Sequence, residues 1–181
     1  MDPDGREDNN NNTETKTYRN RGPDINLFPK NEEIYINVNV KYRSSFIFVV
    51  AGHGNSVNGI YQYVQSTNGS YKGAPIPATR LAEMIKNDPN YKTGMTVYLW
   101  ACNVGESPKN GKEIYAQKVA DALGEGAVVY APNTKIWIND VFNGVPLPYI
   151  ITEEKVDGKI VYTKTEGRWI KFVGRKKDEE L

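Results

Sequence analysis

Three apolar runs constrain this chain most: Phe46-Ile47-Phe48-Val49-Val50-Ala51, Met95 to Ala101, and Ala127 to Tyr130. A strand with one face in water alternates polar and apolar residues, so a nearly unbroken apolar run is expected where both faces are covered. Helical patterns lie between the runs. Behind Pro77, whose fixed φ suits a first turn, Ala78, Leu81, Ala82 and Ile85 share one helical face, and Asn87-Asp88-Pro89 stops the pattern. Ala116, Val119, Ala120 and Leu123 recur at i, i+3, i+4 and i+7, with Gly124 placed to cap the end. Buried strands alternating with helices predict an α/β fold with a mostly parallel sheet and flanking helices.

The remaining segments are read from the same periodicities. Glu33 to Val40 alternates (Ile34, Ile36, Val38 and Val40 against Tyr35, Asn37 and Asn39), which predicts a half-buried strand. Ile60 to Gln65 reads as a short strand, followed by a loop marked by Asn68-Gly69 and Gly73. After Pro132 the helical period vanishes. Ile136-Trp137-Ile138, Tyr149-Ile150-Ile151, Ile160-Val161-Tyr162 and Trp169 to Val173 are short β-type runs, punctuated by Asn143-Gly144, Asp157-Gly158 and Glu166-Gly167. They predict antiparallel β additions at the C-terminus, on the sheet edge or as a small β subdomain. Residues 1–24, with four consecutive asparagines and Tyr18 as their one aromatic, offer too little apolar surface to offset ordering and read as a disordered linker. Residues 25–181 then form one domain, with an α/β core over 33–140 and a β-rich part over 141–181. Trp100, Trp137 and Trp169 are expected in the core.

Composition excludes several functions. Lys and Arg number 23 against 22 Asp and Glu, a formal net charge of +1, so the field that favours phosphate-backbone binding is missing and nucleic acid is not an expected partner. No apolar run approaches the ~20 residues of a spanning helix, so no membrane insertion is expected. The N-terminus shows no apolar segment of the signal-peptide kind. A single cysteine excludes an intramolecular disulfide and any cysteine-cluster metal site. Neither a metal nor a resident cofactor is expected, and the expected state is a monomer.

The chemistry-bearing residues sit at two strand ends. His53, the one histidine, follows the first apolar run in Val50-Ala51-Gly52-His53-Gly54-Asn55. Cys102, the one cysteine, follows the second in Leu99-Trp100-Ala101-Cys102-Asn103-Val104-Gly105. Ligands and reacting groups collect beyond the carboxyl ends of parallel strands, so neighbouring strands would bring both side chains to one rim. A thiol attacks a carbonyl carbon as the thiolate, and a nearby imidazole can accept its proton and later protonate the leaving amine. Gly54 lets its N–H approach a substrate carbonyl without a Cβ in the way. With the N–H of Cys102 it could form an oxyanion hole, a contribution of roughly 3–4 kcal/mol.

Hydrophobic strand, His-Gly, crossover, hydrophobic strand, Ala-Cys resembles the signature of the caspase–haemoglobinase fold, the clan CD cysteine peptidases. In the caspase version the histidine lies about 50 residues before Gln-Ala-Cys-x-Gly. Here Trp100 stands in place of that glutamine, and Gly105 falls one residue later than that spacing sets. Ala-Cys-Asn-x-Gly, the helix Tyr115-Ala116-Gln117-Lys118-Val119-Ala120 and the strand Val128-Val129-Tyr130-Ala131-Pro132 resemble the CHAT-type peptidases and the self-processing cysteine protease domains of secreted toxins. The resemblance spans roughly residues 33–140. It implies a caspase-like sheet, with Cys102 as nucleophile, His53 as general base and acid, and Gly54 as an oxyanion contributor. Some toxin-processing relatives respond to an inositol polyphosphate held in a basic cleft. Lys and Arg are spread too evenly here to mark such a cleft, which leaves a small-molecule activator open. The opening seven residues, with Asp-Pro-Asp-Gly-Arg-Glu, resemble the end of the RHS-repeat core of bacterial polymorphic toxins. That implies an effector or self-processing tip, secreted or delivered into a target cell within a larger toxin, with a polypeptide substrate and a cognate immunity protein as the partners to expect.

Other polar residues near these motifs carry two readings each. Asn55 and Asn103 can orient substrate or simply form turns. Asp140 and Glu106 can line a pocket for a basic side chain or be solvated loop carboxylates. No third catalytic residue stands out, so a dyad must suffice. The Arg175-Lys176-Lys177 run reads as solvated tail. A catalytically silent binding module on the same scaffold, and a Cys-His amidase or acyltransferase, are the competing functions.

Overall fold

The structure is a computed structural model and describes residues 18–19, 22–39, 41, 43–142 and 145–176. In chain order the elements begin with β1 (Tyr18–Arg19), β2 (Ile25–Asn26), α1 (Glu33–Asn39), β3 (Arg43–Ser44), β4 (Ile47–Ala51), β5 (Gly54–Asn55), β6 (Gly59–Gln65) and β7 (Tyr71–Pro75). They continue with α2 (Ala78–Asn87), β8 (Thr96–Trp100), α3 (Tyr115–Leu123), β9 (Val128–Pro132), β10 (Ile136–Phe142), β11 (Val145–Val156), β12 (Lys159–Glu166) and β13 (Trp169–Val173).

The apolar runs become the centre of a five-stranded sheet in the order β13-β9-β8-β4-β2. β2, β4, β8 and β9 run parallel, and β13 adds antiparallel to β9. Side chains alternate across these strands and feed two cores. Phe48, Val50, Val97, Leu99 and Val129 pack on one face with Leu81, Ile85, Ala116 and Val119 of α2 and α3. Val49, Ala51 and Trp100 pack on the other with Phe28, Val38 of α1 and Ile138 of β10. Covering both faces is what the uninterrupted apolar runs require, and the mixed α/β architecture with a mostly parallel sheet follows.

Several expectations are corrected, among them Gly73, which lies within β7 rather than in a loop. Glu33 to Asn39 is a helix, not a strand. Ile34 and Val38, four residues apart, share a face toward the Trp100 core under either periodicity, but Ile36 is 63% exposed and Asn37 donates to Glu33 one turn back at 3.5 Å. Phe46 lies outside β4 and is exposed, so the first apolar run begins one residue late. Trp137 is not a core residue: it stacks on Tyr149 at the surface, while its Nε1–H donates to the Tyr149 carbonyl at 3.1 Å.

The C-terminal third supplies both predicted alternatives. β13 extends the central sheet, and β10-β11-β12 form an antiparallel sheet of their own. The Asp157-Gly158 turn joins β11 to β12 with both residues at positive φ (51° and 77°), the geometry its sequence signals. Asn143-Gly144 lies outside the described residues, as do 1–17 and 20–21 of the expected linker. Gly22 to Asp24 are described, and Asp24 brackets Val49: its N–H donates to the Val49 carbonyl and its Oδ2 accepts from the Val49 N–H, each at 2.8 Å.

Beyond β13, Arg175 does not behave as free tail. Its backbone N–H and guanidinium engage Asp121 of α3, and the guanidinium also reaches Glu113. The Arg175 hydrogen bonds hold the Asp121 carboxyl down to about 2. A depressed carboxylate stabilises the fold fully above its unfolded pKa near ~4 and loses that contribution as pH falls through about 2. Denaturant melts between pH 5 and pH 2 should therefore show a loss of stability that Asp121→Asn flattens.

Candidate active site

Parallel pairing of β4 with β8 aligns Ala51 with Trp100, and the Gly52 N–H continues the ladder to the Trp100 carbonyl at 3.2 Å. His53 and Cys102 are each the second residue past that pair, so the two motifs leave the sheet side by side at its carboxyl edge. After β8 the chain turns sharply. Ala101 N–H bonds back to the Leu99 carbonyl at 2.9 Å, and Asn103 takes a left-handed φ of 60°. The half-exposed Cys102 sits at the crown of this turn as a free thiol.

Gly54 is where the two segments touch. A Cβ there would come within 2.7 Å of Val104 Cγ1, 3.0 Å of Ala101 Cβ and 3.1 Å of the Cys102 carbonyl oxygen, so no other residue fits without displacement. The Tyr61 N–H bonds the His53 carbonyl at 3.0 Å, which makes Gly54 and Ile60 a non-hydrogen-bonded pair and turns the Gly54 N–H away from β6. The Cys102 N–H bonds to no acceptor among the described residues. Among the described residues the two touching segments thus each keep an amide donor without an acceptor. Gly105 has a different role: a Cβ would lie 2.6 Å from the Ala131 carbonyl, and its N–H bonds Pro132 at 2.9 Å, seating the turn against β9.

The imidazole has a partner that the sequence did not reveal. Glu32, in the turn before α1, places Oε2 2.6 Å from His53 Nε2. A carboxylate only accepts, so in the neutral ring this contact puts the proton on Nε2 and leaves a lone pair on Nδ1. The ring is clamped edge-on by Phe28 at 4.8 Å and Tyr63 at 5.6 Å between centroids. Burial first, then the negative charge of Glu32 and the neighbouring Tyr61, push the Tyr63 phenol up, so it stays neutral at physiological pH.

The other sequence-predicted residues are placed as follows. Asn55 Oδ1 accepts from the N–H groups of Val57 (3.0 Å) and Asn58 (2.7 Å), and its Nδ2 donates to the Tyr61 hydroxyl, so its side chain builds its own turn. Asn103 donates to Glu106 at 2.8 Å, tying both to the turn after Cys102. The Asp140 side chain lies outside the described residues. Among the described residues no group of three His, Cys, Asp or Glu side chains could hold a metal, and no helix is long and apolar enough to cross a membrane.

Among curated proteins the chain is similar to YibJ, an uncharacterized protein of Escherichia coli (strain K12), at 36% identity over 83 residues. That stretch is 46% of this chain and 31% of YibJ, so the chain spans under a third of that relative's length. No solved structure matches. Residues 23–160, which include both motifs and the Glu32 turn, match the family described as a domain of unknown function, DUF8616, and the chain belongs to that family.

Proposed function

We propose that this domain is a caspase-like cysteine endopeptidase, acting as the effector or self-processing module of a secreted bacterial toxin. The observation that carries the reading is the 2.6 Å contact between His53 Nε2 and Glu32, on the strand end next to the one that presents Cys102. A carboxylate bonded to one ring nitrogen orients the imidazole and fixes its tautomer, which is what a general base requires. In this reading His53 Nδ1 takes the thiol proton, and the Cys102 thiolate attacks the scissile carbonyl carbon. The oxyanion that forms is met by the N–H groups of Cys102 and Gly54. The C–N bond then breaks as Nδ1–H protonates the leaving amine, and water hydrolyses the thioester with its proton passing through the same nitrogen. Glu32 is a positioning residue, fixing the tautomer and the orientation of the ring.

The test is digestion of a complex peptide mixture by the full chain, with mass spectrometry of the new termini. New termini from the wild type and none from Cys102→Ala are expected; cleavage that survives Cys102→Ala would overturn the proposal. Turnover of simple amides or thioesters without peptide cleavage would point instead to an amidase or acyltransferase. In a bacterial cytoplasm, toxicity that depends on Cys102 assigns the effector role. Cleavage near the chain's own N-terminal junction without such toxicity assigns the processing role.

A further inference from the structure

An open pocket of about 320 Å³ lies beside His53, between the segment following β2 and the β6–β7 hairpin. Phe28 and Tyr63 line it, and these are the two rings that clamp the imidazole. Lys30, Tyr35, Gln62 and Tyr71 are among its other walls. Its lining holds one cation and no anion, and Lys30 makes no ion pair among the described residues. Glu32, the carboxylate beside Tyr63, is taken up by His53.

We propose that this pocket receives an acidic side chain of the substrate, on the leaving-group side of the bond that is cut. The inference rests on the peptidase reading and adds the substrate class. Its placement follows from strand order. β8, β4 and β2 are successive neighbours in the sheet, so Cys102, His53 and the pocket follow one another along its carboxyl edge. The nucleophile holds the acyl half of the substrate, and the imidazole hands its proton to the departing amine. A pocket beyond the imidazole therefore faces the half that departs. The chemistry follows from the walls: Phe28 and Tyr63 offer ring faces and edges for an aliphatic stem, Gln62 and the tyrosine hydroxyls offer hydrogen bonds, and Lys30 offers a charge. A glutamate side chain uses all three.

Two measurements on the full chain test this. First, a displayed peptide library is selected for binding to the Cys102→Ala protein and to the same protein carrying Lys30→Glu. Acidic residues should be enriched at one position in the first selection, with roughly threefold to tenfold preference for Glu over Gln. Lys or Arg should replace them in the second. Lys30 is exposed, so the exchange leaves the core untouched. Acidic enrichment that ignores Lys30, or no acidic enrichment, overturns the proposal. Second, in the wild-type digest the acidic position should lie C-terminal to the cut; enrichment on the other side refutes the placement. An inert Cys102 in a protein whose peptide selection still inverts with Lys30 would remove the peptidase reading and leave an acid-binding pocket.

Discussion

On the peptidase reading, Cys102→Ala is expected to abolish peptide hydrolysis while leaving the fold intact, because Cys102 is half-exposed and belongs to neither core. His53→Ala should lower turnover by about 10²–10⁴-fold, the usual range for loss of a general acid and base. Glu32→Gln separates a positioning role from a structural one. An amide can still accept from Nε2–H, but the hydrogen bond is no longer charge-assisted and is weaker, so the ring is held less firmly. Turnover should fall by about 10²-fold or more with little change in KM or in melting temperature, and Glu32→Asp should recover part of it. Equal activity of the Gln variant would remove Glu32 from the mechanism while leaving the dyad standing.

Gly59→Ala is expected to cost much of the domain's stability. Gly59 has a φ of 76°, and a Cβ there would fall 2.1 Å from the Tyr115 ring. That ring is buried in the first core, with its hydroxyl donating to the Ile76 carbonyl at 2.9 Å, and burial pushes its phenol far above the usual range. It therefore cannot swing out without leaving its hydrogen bond and its core contacts. Backbone strain of about 1–2 kcal/mol and overpacking of about 1–3 kcal/mol combine to roughly 2–5 kcal/mol. For a domain of this size that lowers the melting temperature by about 5–15 °C. Thermal denaturation followed by circular dichroism checks it. Since Gly59 pairs with Asn55, two residues after His53, activity should fall with stability.

Most of the sheet was legible because its signals are local. Uninterrupted apolar runs require two covered faces, and both amphipathic helices between them form as their spacing predicts. Gly124 caps α3 at a φ of 123° as expected. The misreading of α1 is equally physical. Ile34 and Val38 are four apart, a separation that is even in a strand and one turn in a helix, so either period buries them together. The turn that decides between them closes through Pro29, whose carbonyl accepts from the Glu32 N–H at 3.0 Å. Missing that turn hid Glu32, because only the helix lays residues 28–32 across the end of β4. The Lys30 pocket was hidden for the same reason, and for a second one: its far wall is the β6–β7 hairpin folded back beside His53. Nothing near residue 32 in the chain signals a contact 21 positions away.

If Cys102 is a nucleophile served by His53, the reactivity of the single thiol reveals it without any substrate. A free thiol, with a pKa near ~8.5, is almost wholly protonated at pH 6 and alkylates slowly there. Iodoacetamide should nevertheless modify the native wild-type protein at pH 6, and His53→Ala should slow that reaction by about tenfold or more while the two proteins converge above pH 9. A native thiol that reacts only on unfolding, or one whose rate–pH profile is the same with and without His53, would contradict the account.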